Sequence, residues 1–204
     1  MRVIESILNF LFPTTCLFCK NGDQVVCRDC FGKIPRNIQT KDNILSIYEY
    51  RNPQINTMLW KLKYHHTHDI AKLFGKVLAE EISHTLGVCE NICLVPIPLN
   101  AKDKRIYNHA ELIANSTGLK VIPNLLIKNS HKKQAHTKGK KQRFENIKNS
   151  FTINKDLDVE HTSHTFVLID DVTTTGATIF EAKKVLADYL GIPEKDILAI
   201  VVAR

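Results

Sequence analysis

The run Val167-Leu-Ile-Asp170-Asp171-Val-Thr173-Thr174-Thr175-Gly176-Ala177-Thr178-Ile179 indicates an apolar strand, two adjacent carboxylates, a hydroxyl-rich turn and the start of a helix. Because Gly176 gives the turn backbone freedom, its N–H groups can approach an anion closely. The following helix contributes a positive partial charge at its N-terminus, and the threonines contribute hydroxyl donors. We therefore predict that the turn, residues 173–178, binds a phosphate.

The acids Asp170 and Asp171 need a different partner, because they would repel a phosphate bound in the turn. Hydroxyl groups about one sugar ring away from the phosphate satisfy this requirement, so the run predicts binding of a ribose 5-phosphate. Nucleotide hydrolases also end a strand in acids that hold magnesium, and a purely structural turn is a third interpretation. The turn that follows the acids argues against a hydrolase, and the chain contains no Gly-x-x-x-x-Gly-Lys-Ser/Thr loop.

Four cysteines near the N-terminus form two Cys-x-x-Cys pairs, which are Cys16 with Cys19 and Cys27 with Cys30. Each pair can place both thiolates on one ion, and two pairs complete a tetrahedral shell around zinc. Two disulfides are the alternative, but nothing in the sequence indicates an oxidising compartment. We predict a structural zinc, because four sulfur ligands leave no position for substrate. Cys89 and Cys93 lack this spacing and are predicted to be buried free thiols.

The positive charge of the chain is concentrated in one segment. Lys and Arg outnumber Asp and Glu by 28 to 21, and residues 128–148 contain eight basic residues and a single acid, Glu145. This segment therefore accounts for the whole excess of positive over negative residues. It is either a solvated basic loop or a surface that attracts phosphate-bearing partners. For the second case the candidate nucleic-acid contacts are Lys132, Lys133, Lys138, Lys140, Lys141 and Arg143.

The first residues, Met1 to Phe12, are apolar with helical spacing, but the stretch is too short to span a bilayer, which takes about 20 apolar residues. Packing of this helix on the protein body is the main prediction, and a position in a membrane interface is the alternative. No secretory signal is indicated, so a cytoplasmic protein that is not an integral membrane protein is expected. His65, His66 and His68 are too weakly patterned to predict a metal site.

The rest of the chain alternates apolar strands with amphipathic helices. Strands are predicted at Asn43–Tyr50, Ile92–Ile97, Val121–Ile127, Phe151–Ile153, Phe166–Ile169 and Ile197–Ala203, and helices at Ala71–Ile82, Ala110–Asn115 and Thr178–Leu190. This alternation predicts an α/β fold with a parallel sheet covered on both faces, where ligands bind beyond the carboxyl ends of the strands.

The run from Val167 to Ile179 resembles the phosphoribosyl pyrophosphate signature of type I phosphoribosyltransferases. The whole chain resembles the ComF/ComFC competence proteins, which join an N-terminal four-cysteine zinc finger to such a domain. The matching segments are Cys16 to Pro35, Leu62-Lys63-Tyr64, Val95-Pro-Ile-Pro98, and Gln134, Arg143, Asn146 and Phe151. The resemblance implies a helix and zinc finger in residues 1–40 and a phosphoribosyltransferase-like domain in residues 41–204.

One segment departs from the family pattern. Where the family has Arg-Gly-Phe-Asn-Gln-Ala-Glu, this chain has Arg105-Ile-Tyr-Asn108-His109-Ala-Glu111, and the approach from Pro98 is shortened by about two residues. Ile106 cannot copy the backbone freedom of glycine. The departure weakens the prediction of transferase turnover more than that of phosphate binding. Lys102 and Arg105 are the candidates for holding the pyrophosphate, and a solvated turn is the alternative.

Two functions follow from the resemblance. The first is a phosphoribosyl pyrophosphate-binding protein that supports natural transformation by handling single-stranded DNA, in contact with DNA-uptake proteins at the inner face of the membrane. The second is an active phosphoribosyltransferase of nucleobase salvage. In both, magnesium would accompany the ligand, and no residue is assigned as general acid or base. We favour the first, because residues 128–148 contain Phe144 as their single aromatic residue and offer no clear base pocket.

Overall fold

The apolar strands form a central sheet in the computed structural model, which describes residues 14–65, 68–87, 91–99, 107–129, 149–157, 159 and 164–204. The strands are β1 (Gln39–Lys41), β2 (Ile44–Tyr48), β3 (Ile92–Pro96), β4 (Lys120–Val121), β5 (Leu126–Lys128), β6 (Phe151–Ile153), β7 (Thr165–Val172) and β8 (Leu198–Ala203). The helices are α1 (Arg28–Gly32), α2 (Pro53–Tyr64), α3 (His68–Leu86), α4 (His109–Asn115) and α5 (Ala177–Leu190). A 3₁₀ turn, Glu194–Asp196, precedes β8.

The main sheet has the strand order β1-β2-β8-β7-β3-β4. Strand β1 is antiparallel to β2, and the other neighbouring pairs are parallel. A second, two-stranded sheet pairs β5 with β6. The predicted α/β class with a mainly parallel sheet is confirmed. In such a sheet the carboxyl ends of the strands lie on one edge, and this edge carries Asp170 and Asp171 at the end of β7.

Helices cover both faces of the sheet because the strands are apolar on both sides. Leu94, Val167 and Ile200 lie in one core, together with the buried faces of α2, α3 and α4. Val95 and Leu168 lie in the other core, with α5 and the β5–β6 pair. Every residue of β8 is buried, and the strand lies between β2 and β7 in the middle of the main sheet.

The helices next to the acidic strand end have clear start signals. Asn52 caps α2, where its side chain accepts hydrogen bonds from the backbone N–H groups of Gln54 and Ile55 at 2.9 and 3.2 Å. Pro53 occupies the first turn, where the missing N–H costs little. Asn108 caps α4 in the same way, accepting from the N–H of Ala110 at 3.1 Å. These caps fix where the two helices begin, and Asn108 itself lines the cavity at the strand end.

The cysteine-rich N-terminal segment packs against the main domain through aromatic rings. Phe31 lies 6.3 Å from both Tyr48 and Phe74, measured between ring centroids. Arg36 forms ion pairs with Glu80 and Glu81 of α3 at 2.8 and 3.2 Å. The segment is therefore attached to the main domain by apolar and ionic contacts. The predicted domain boundary, between residues 40 and 41, falls inside β1 and stays a prediction.

Several predicted element bounds were wrong. Strand β7 continues through both acids to Val172, because Asp170 and Val172 still pair with Val201 and Ala203 of β8. The predicted strand Val121–Ile127 is divided between β4 and β5, which belong to different sheets, with Asn124 at a φ of 59° between them. Helix α3 extends beyond Ala71–Ile82 at both ends. Cys93 is buried as predicted, whereas Cys89 and residues 1–13 lie outside the described part of the chain.

Membrane crossing was tested on the helices that the structure describes. Among them, none combines the length and the apolar character that a span of the bilayer requires.

Candidate functional site

Strand β7 carries the two acids to the carboxyl edge of the sheet. Successive strand residues point to opposite faces, and Val167 and Ile169 lie in the core under α2, whereas Phe166 and Leu168 lie in the core under α5. The side chain of Asp171 therefore lies on the face of the sheet that α2 covers, and that of Asp170 lies on the face that α5 covers. The two acids are adjacent in sequence, but each meets a different set of neighbours.

Asp171 forms an ion pair with a lysine from helix α2. The distance from Lys63 Nζ to Asp171 Oδ2 is 2.7 Å, and the carboxylate side chain is 13% exposed. The other oxygen, Oδ1, accepts a hydrogen bond from the backbone N–H of Val172 at 2.8 Å. An ion pair at this low exposure is little screened by solvent, so Lys63 offsets the charge of Asp171. The contact does not have hydrogen-bond geometry, and the buried Oδ2 has no hydrogen-bond partner among the described residues.

Asp170 has no lysine at ion-pair distance among the described residues. Its Oδ1 accepts a hydrogen bond from the N–H of Asp171 at 2.9 Å. Burial, and secondly the charge of Asp171, raise the pKa of Asp170 well above its usual range. A cation or hydroxyl donors at this edge would favour the ionised form of Asp170 beside Asp171. This donor set fits a magnesium ion or the hydroxyls of a sugar.

The turn after β7 has the backbone conformation that its sequence predicts. Gly176 has a φ of 79°, and a Cβ added there would lie 2.7 Å from Phe180 Cε2 and 3.1 Å from Ile44 Cδ1. Only glycine combines this dihedral angle with so little space. The turn leads directly into α5, whose first backbone N–H groups lack intrahelical acceptors. The site thus has the elements of an anion-binding helix N-terminus.

The threonines of the turn differ in exposure. Thr173 is buried, and its N–H donates to Ala203 O at 3.1 Å. Thr174 is exposed, and Thr175 accepts a hydrogen bond from the N–H of Ala177 at 3.4 Å. Thr178 lines a cavity together with both acids. Thr178 is therefore the turn hydroxyl that lies beside the carboxylates.

The cavity at the strand end measures about 180 Å³. Besides the acids and Thr178, it contains two lysines and a buried histidine, and the full set of lining residues is Lys63, Ile97, Pro98, Leu99, Asn108, His109, Ala110, Lys128, Asp170, Asp171 and Thr178. Asn108 Nδ2 donates to Ile97 O at 3.0 Å, which ties the start of α4 to the end of β3. The cavity therefore offers acids, amines and a hydroxyl to one small polar ligand.

Sequence reasoning missed Lys63, Asn108, His109 and Lys128 as members of this site. The Leu62-Lys63-Tyr64 motif was a signal for Lys63, but its partner acid lies more than 100 positions away in the chain. Lys102 and Arg105 lie outside the described residues, although Leu99 lines the cavity a few positions before them. Lys132, Lys133, Lys138, Lys140, Lys141 and Arg143 also lie outside the described residues.

The four cysteines converge as their spacing predicts. The sulfur atoms of Cys16, Cys19, Cys27 and Cys30 all lie within 4.8 Å of one another, and the described cysteines form no disulfide. The distance between Cys19 Sγ and Cys27 Sγ is 3.7 Å. Zinc–sulfur bonds of about 2.3 Å place the ligands of a tetrahedral site roughly 3.8 Å apart, so the cluster could hold a metal such as zinc.

The ionisation of the cysteine thiols shows why a cation suits this cluster. Burial opposes ionisation of Cys16, but hydrogen bonds led by that from the Cys27 backbone lower its pKa to about 6. The pKa of Cys30 is raised to about 12, first by its hydrogen bond with Cys27 and then by burial. A metal ion bound here would favour the ionised form of all four thiols.

A larger cavity of about 410 Å³ lies between the cysteine-rich segment and α3. Val26, Phe31, Leu73 and Val77 form its apolar part. Its charged residues include Asp23, Arg28, Arg36, Asp69, Lys72, Lys76 and Glu80. Because acids and bases are mixed in its lining, this cavity indicates no ligand class. The smaller cavity at the strand end is the candidate site.

Comparison with known proteins gives a relative that spans most of the chain. No protein-family model matches the chain. Competence protein F of Haemophilus influenzae is 27% identical over 190 residues, which cover 88% of this chain and 80% of that protein. The resemblance to the ComF competence proteins is confirmed. The aligned part includes most of the described fold, so the similarity does not depend on one short motif.

The ion pair between Lys63 and Asp171 can be measured by unfolding. Replacing Lys63 with Met leaves a poorly solvated carboxylate beside a second acid, so we expect the free energy of urea unfolding to fall by about 1–3 kcal/mol. Adding Asp171→Asn should recover part of this loss. Lys61→Met, the same change two residues away on the same helix, should cost less than about 0.5 kcal/mol. Equal losses for the two lysines, or strictly additive effects of Lys63→Met and Asp171→Asn, would contradict the assignment.

Proposed function

We propose that this protein binds 5-phosphoribosyl 1-pyrophosphate at the carboxyl edge of β7 and supports natural transformation by handling single-stranded DNA. The proposed binding of the ribose phosphate is supported by the order in which polar groups are arranged around one cavity. An acid pair, one member of which is neutralised by Lys63, is followed by the Gly176 turn and the N-terminus of α5. This arrangement separates a site for hydroxyls from a site for a phosphate.

Each group has a role that follows from its chemistry. The N-terminus of α5, with Thr178, suits the 5-phosphate, because backbone N–H groups and a hydroxyl can donate to its oxygens. Asp170 suits the ribose hydroxyls, because hydrogen bonds to its carboxylate would offset the burial that raises its pKa. A magnesium ion would supply a divalent positive charge between the acid edge and the pyrophosphate. Lys102 and Arg105 would hold the pyrophosphate.

The proposal assigns no acid-base chemistry to the site. Binding and orientation of a reactive sugar phosphate require only charge complementarity and fixed hydrogen bonds. Whether pyrophosphate is ever released to an acceptor base is the difference between a binding protein and a phosphoribosyltransferase. The titration below distinguishes them, because release of pyrophosphate in the presence of nucleobases would establish the transferase.

The proposed handling of single-stranded DNA rests on the similarity to Competence protein F and on the positive charge of residues 128–148. Competence protein F is named for natural competence, and this chain aligns with most of its length. The basic residues between positions 128 and 148 would contact DNA phosphates, and Lys128, the first of them, lines the cavity at the strand end. DNA and the ribose phosphate would therefore bind on neighbouring surfaces, at a cytoplasmic position close to the DNA-uptake proteins.

We also propose that the four cysteines bind one structural zinc. The purified protein should contain one zinc per chain by elemental mass spectrometry, and Cys27→Ser should lose it and lower the thermal midpoint. Cys93→Ser changes a buried thiol outside the cluster and should retain the metal. A metal-free protein whose four cysteines resist alkylation until they are reduced would instead establish disulfides.

The acids are tested by titration with phosphoribosyl pyrophosphate and magnesium. We expect binding by the wild type that weakens without magnesium, and an affinity loss of about tenfold or more in the Asp170→Asn, Asp171→Asn double variant. Asp188→Asn, which alters an exposed acid of α5, should leave the affinity unchanged. Unchanged binding by the double variant, with the fold intact by circular dichroism, would disprove the site.

DNA binding by the basic segment is tested through its salt dependence. Replacing Lys138, Lys140 and Lys141 with Ala removes three phosphate contacts, so the slope of log affinity against log salt should become shallower by about 2 for single strands. The matched control replaces three exposed lysines elsewhere, Lys76, Lys184 and Lys195, with Ala. Absence of binding at low salt, or equal effects in both triple variants, would refute this contact.

A further inference from the structure

Helix α2 presents exposed aromatic rings that the proposed ribose-phosphate site does not use. Trp60 is 49% exposed and Tyr64 is 60% exposed. The Trp60 ring lies 5.6 Å from the Tyr64 ring and 4.8 Å from the His65 ring, measured between centroids. Lys61 Nζ lies 6.0 Å from the centre of the Trp60 ring. These four residues form a continuous surface, which we call the α2 aromatic patch.

The patch is not needed for packing of the helix. The core-facing side of α2 is formed by Ile55, Met58, Leu59 and Leu62, all of which are buried. Trp60 and Tyr64 are one helical turn apart on the opposite, solvent-facing side. Aromatic side chains are usually stabilised by burial, but the exposed rings of Trp60 and Tyr64 lack most of this stabilisation. A binding role therefore explains their exposure better than a structural role.

The charge at the patch is that of Lys61, whose ammonium lies 6.0 Å from the Trp60 ring, and it favours an anionic partner. From Tyr50 to His68 the sequence contains Arg51, Lys61 and Lys63 but no Asp or Glu. The nearest acid along the chain, Asp69, is paired with Lys72 at 3.1 Å. The acid next to Lys63 in space, Asp171, is paired with that lysine at 2.7 Å. No unpaired carboxylate among these described neighbours would therefore repel a polyanion from the rings.

The patch lies close to the candidate site. Lys63, which lines the strand-end cavity, directly precedes Tyr64 in α2. On the same side of the fold, the ring of His68 lies 5.9 Å from that of Tyr107, which is 41% exposed and precedes the cavity residue Asn108. At two positions, Tyr64 and Tyr107, an aromatic residue is thus the immediate sequence neighbour of a residue that lines the cavity. A strand bound near the cavity could place successive bases against them.

We propose that the α2 aromatic patch is a stacking surface for the bases of single-stranded DNA. Rings stack on any base, and a lysine beside them can neutralise the adjoining phosphate, which together give binding without sequence preference. This inference rests on the proposed handling of single-stranded DNA, and it adds a site for the bases to the basic segment proposed for the phosphates. A second copy of this chain is the competing occupant of such rings.

The test uses the intrinsic fluorescence of the wild-type protein, because Trp60 is the only tryptophan in the chain. Titration with a single-stranded oligonucleotide at low salt should quench and shift the emission of Trp60. An abasic deoxyribose-phosphate strand of the same length should bind more weakly and leave the emission unchanged. Quenching by both strands to the same extent would overturn base stacking.

Variants give an independent measure through the anisotropy of a labelled oligonucleotide. Trp60→Ala and Tyr64→Ala should each weaken binding by about tenfold, as expected for the loss of one stacked base. Tyr64→Phe keeps the ring and should bind as the wild type does. Ile192→Ala, which removes an exposed apolar side chain elsewhere, is the matched control and should have no effect.

The outcomes separate this inference from the proposed function. Oligonucleotide binding by anisotropy with unchanged Trp60 emission would overturn the stacking surface and leave DNA handling intact. No binding at low salt would overturn both. A wild-type dimer in light scattering that Trp60→Ala converts to a monomer would assign the patch to a second copy of the chain and overturn the inference as well.

Discussion

The placement of Asp170 and Asp171 at the end of a buried parallel strand is the most demanding constraint in this molecule. The residues before them in β7 are packed between helices on both faces, so the acids reach the sheet edge with little solvent around them. Burial raises the pKa of Asp170, and Lys63 stabilises the charge of Asp171. A strand end of this kind favours ligands that bring hydroxyl donors or a cation.

Helix α2 links the acid site to the surface. Its buried side packs on the sheet, its last turn sends Lys63 to Asp171, and its solvent side presents Trp60 and Tyr64. Because these groups belong to one helix, any ligand that displaces Lys63 from Asp171 also acts on the element that carries the aromatic rings.

Local patterns in the sequence were sufficient for much of the fold. The alternation of apolar strands and amphipathic helices predicts the layered α/β architecture, since period and burial are properties of short segments. The spacing of Cys16, Cys19, Cys27 and Cys30 predicts that their sulfur atoms converge, because this spacing is also a property of a short segment. The assignment of the run Val121–Ile127 failed because two short strands separated by a turn at Asn124 look like one apolar stretch.

By itself, the sequence determined the strand, the acid pair, the Gly176 turn and the helix that follows, because all of them lie within 13 consecutive residues whose conformations depend on their neighbours. Only the tertiary structure decided that Lys63 meets Asp171, that Asn108 and His109 line the same cavity, and that Trp60 faces solvent. The helical pattern of α2 allows Trp60 either to be buried or to be exposed. Packing between segments that are distant in the sequence decides these contacts, and no local pattern encodes the order of the strands in the sheet.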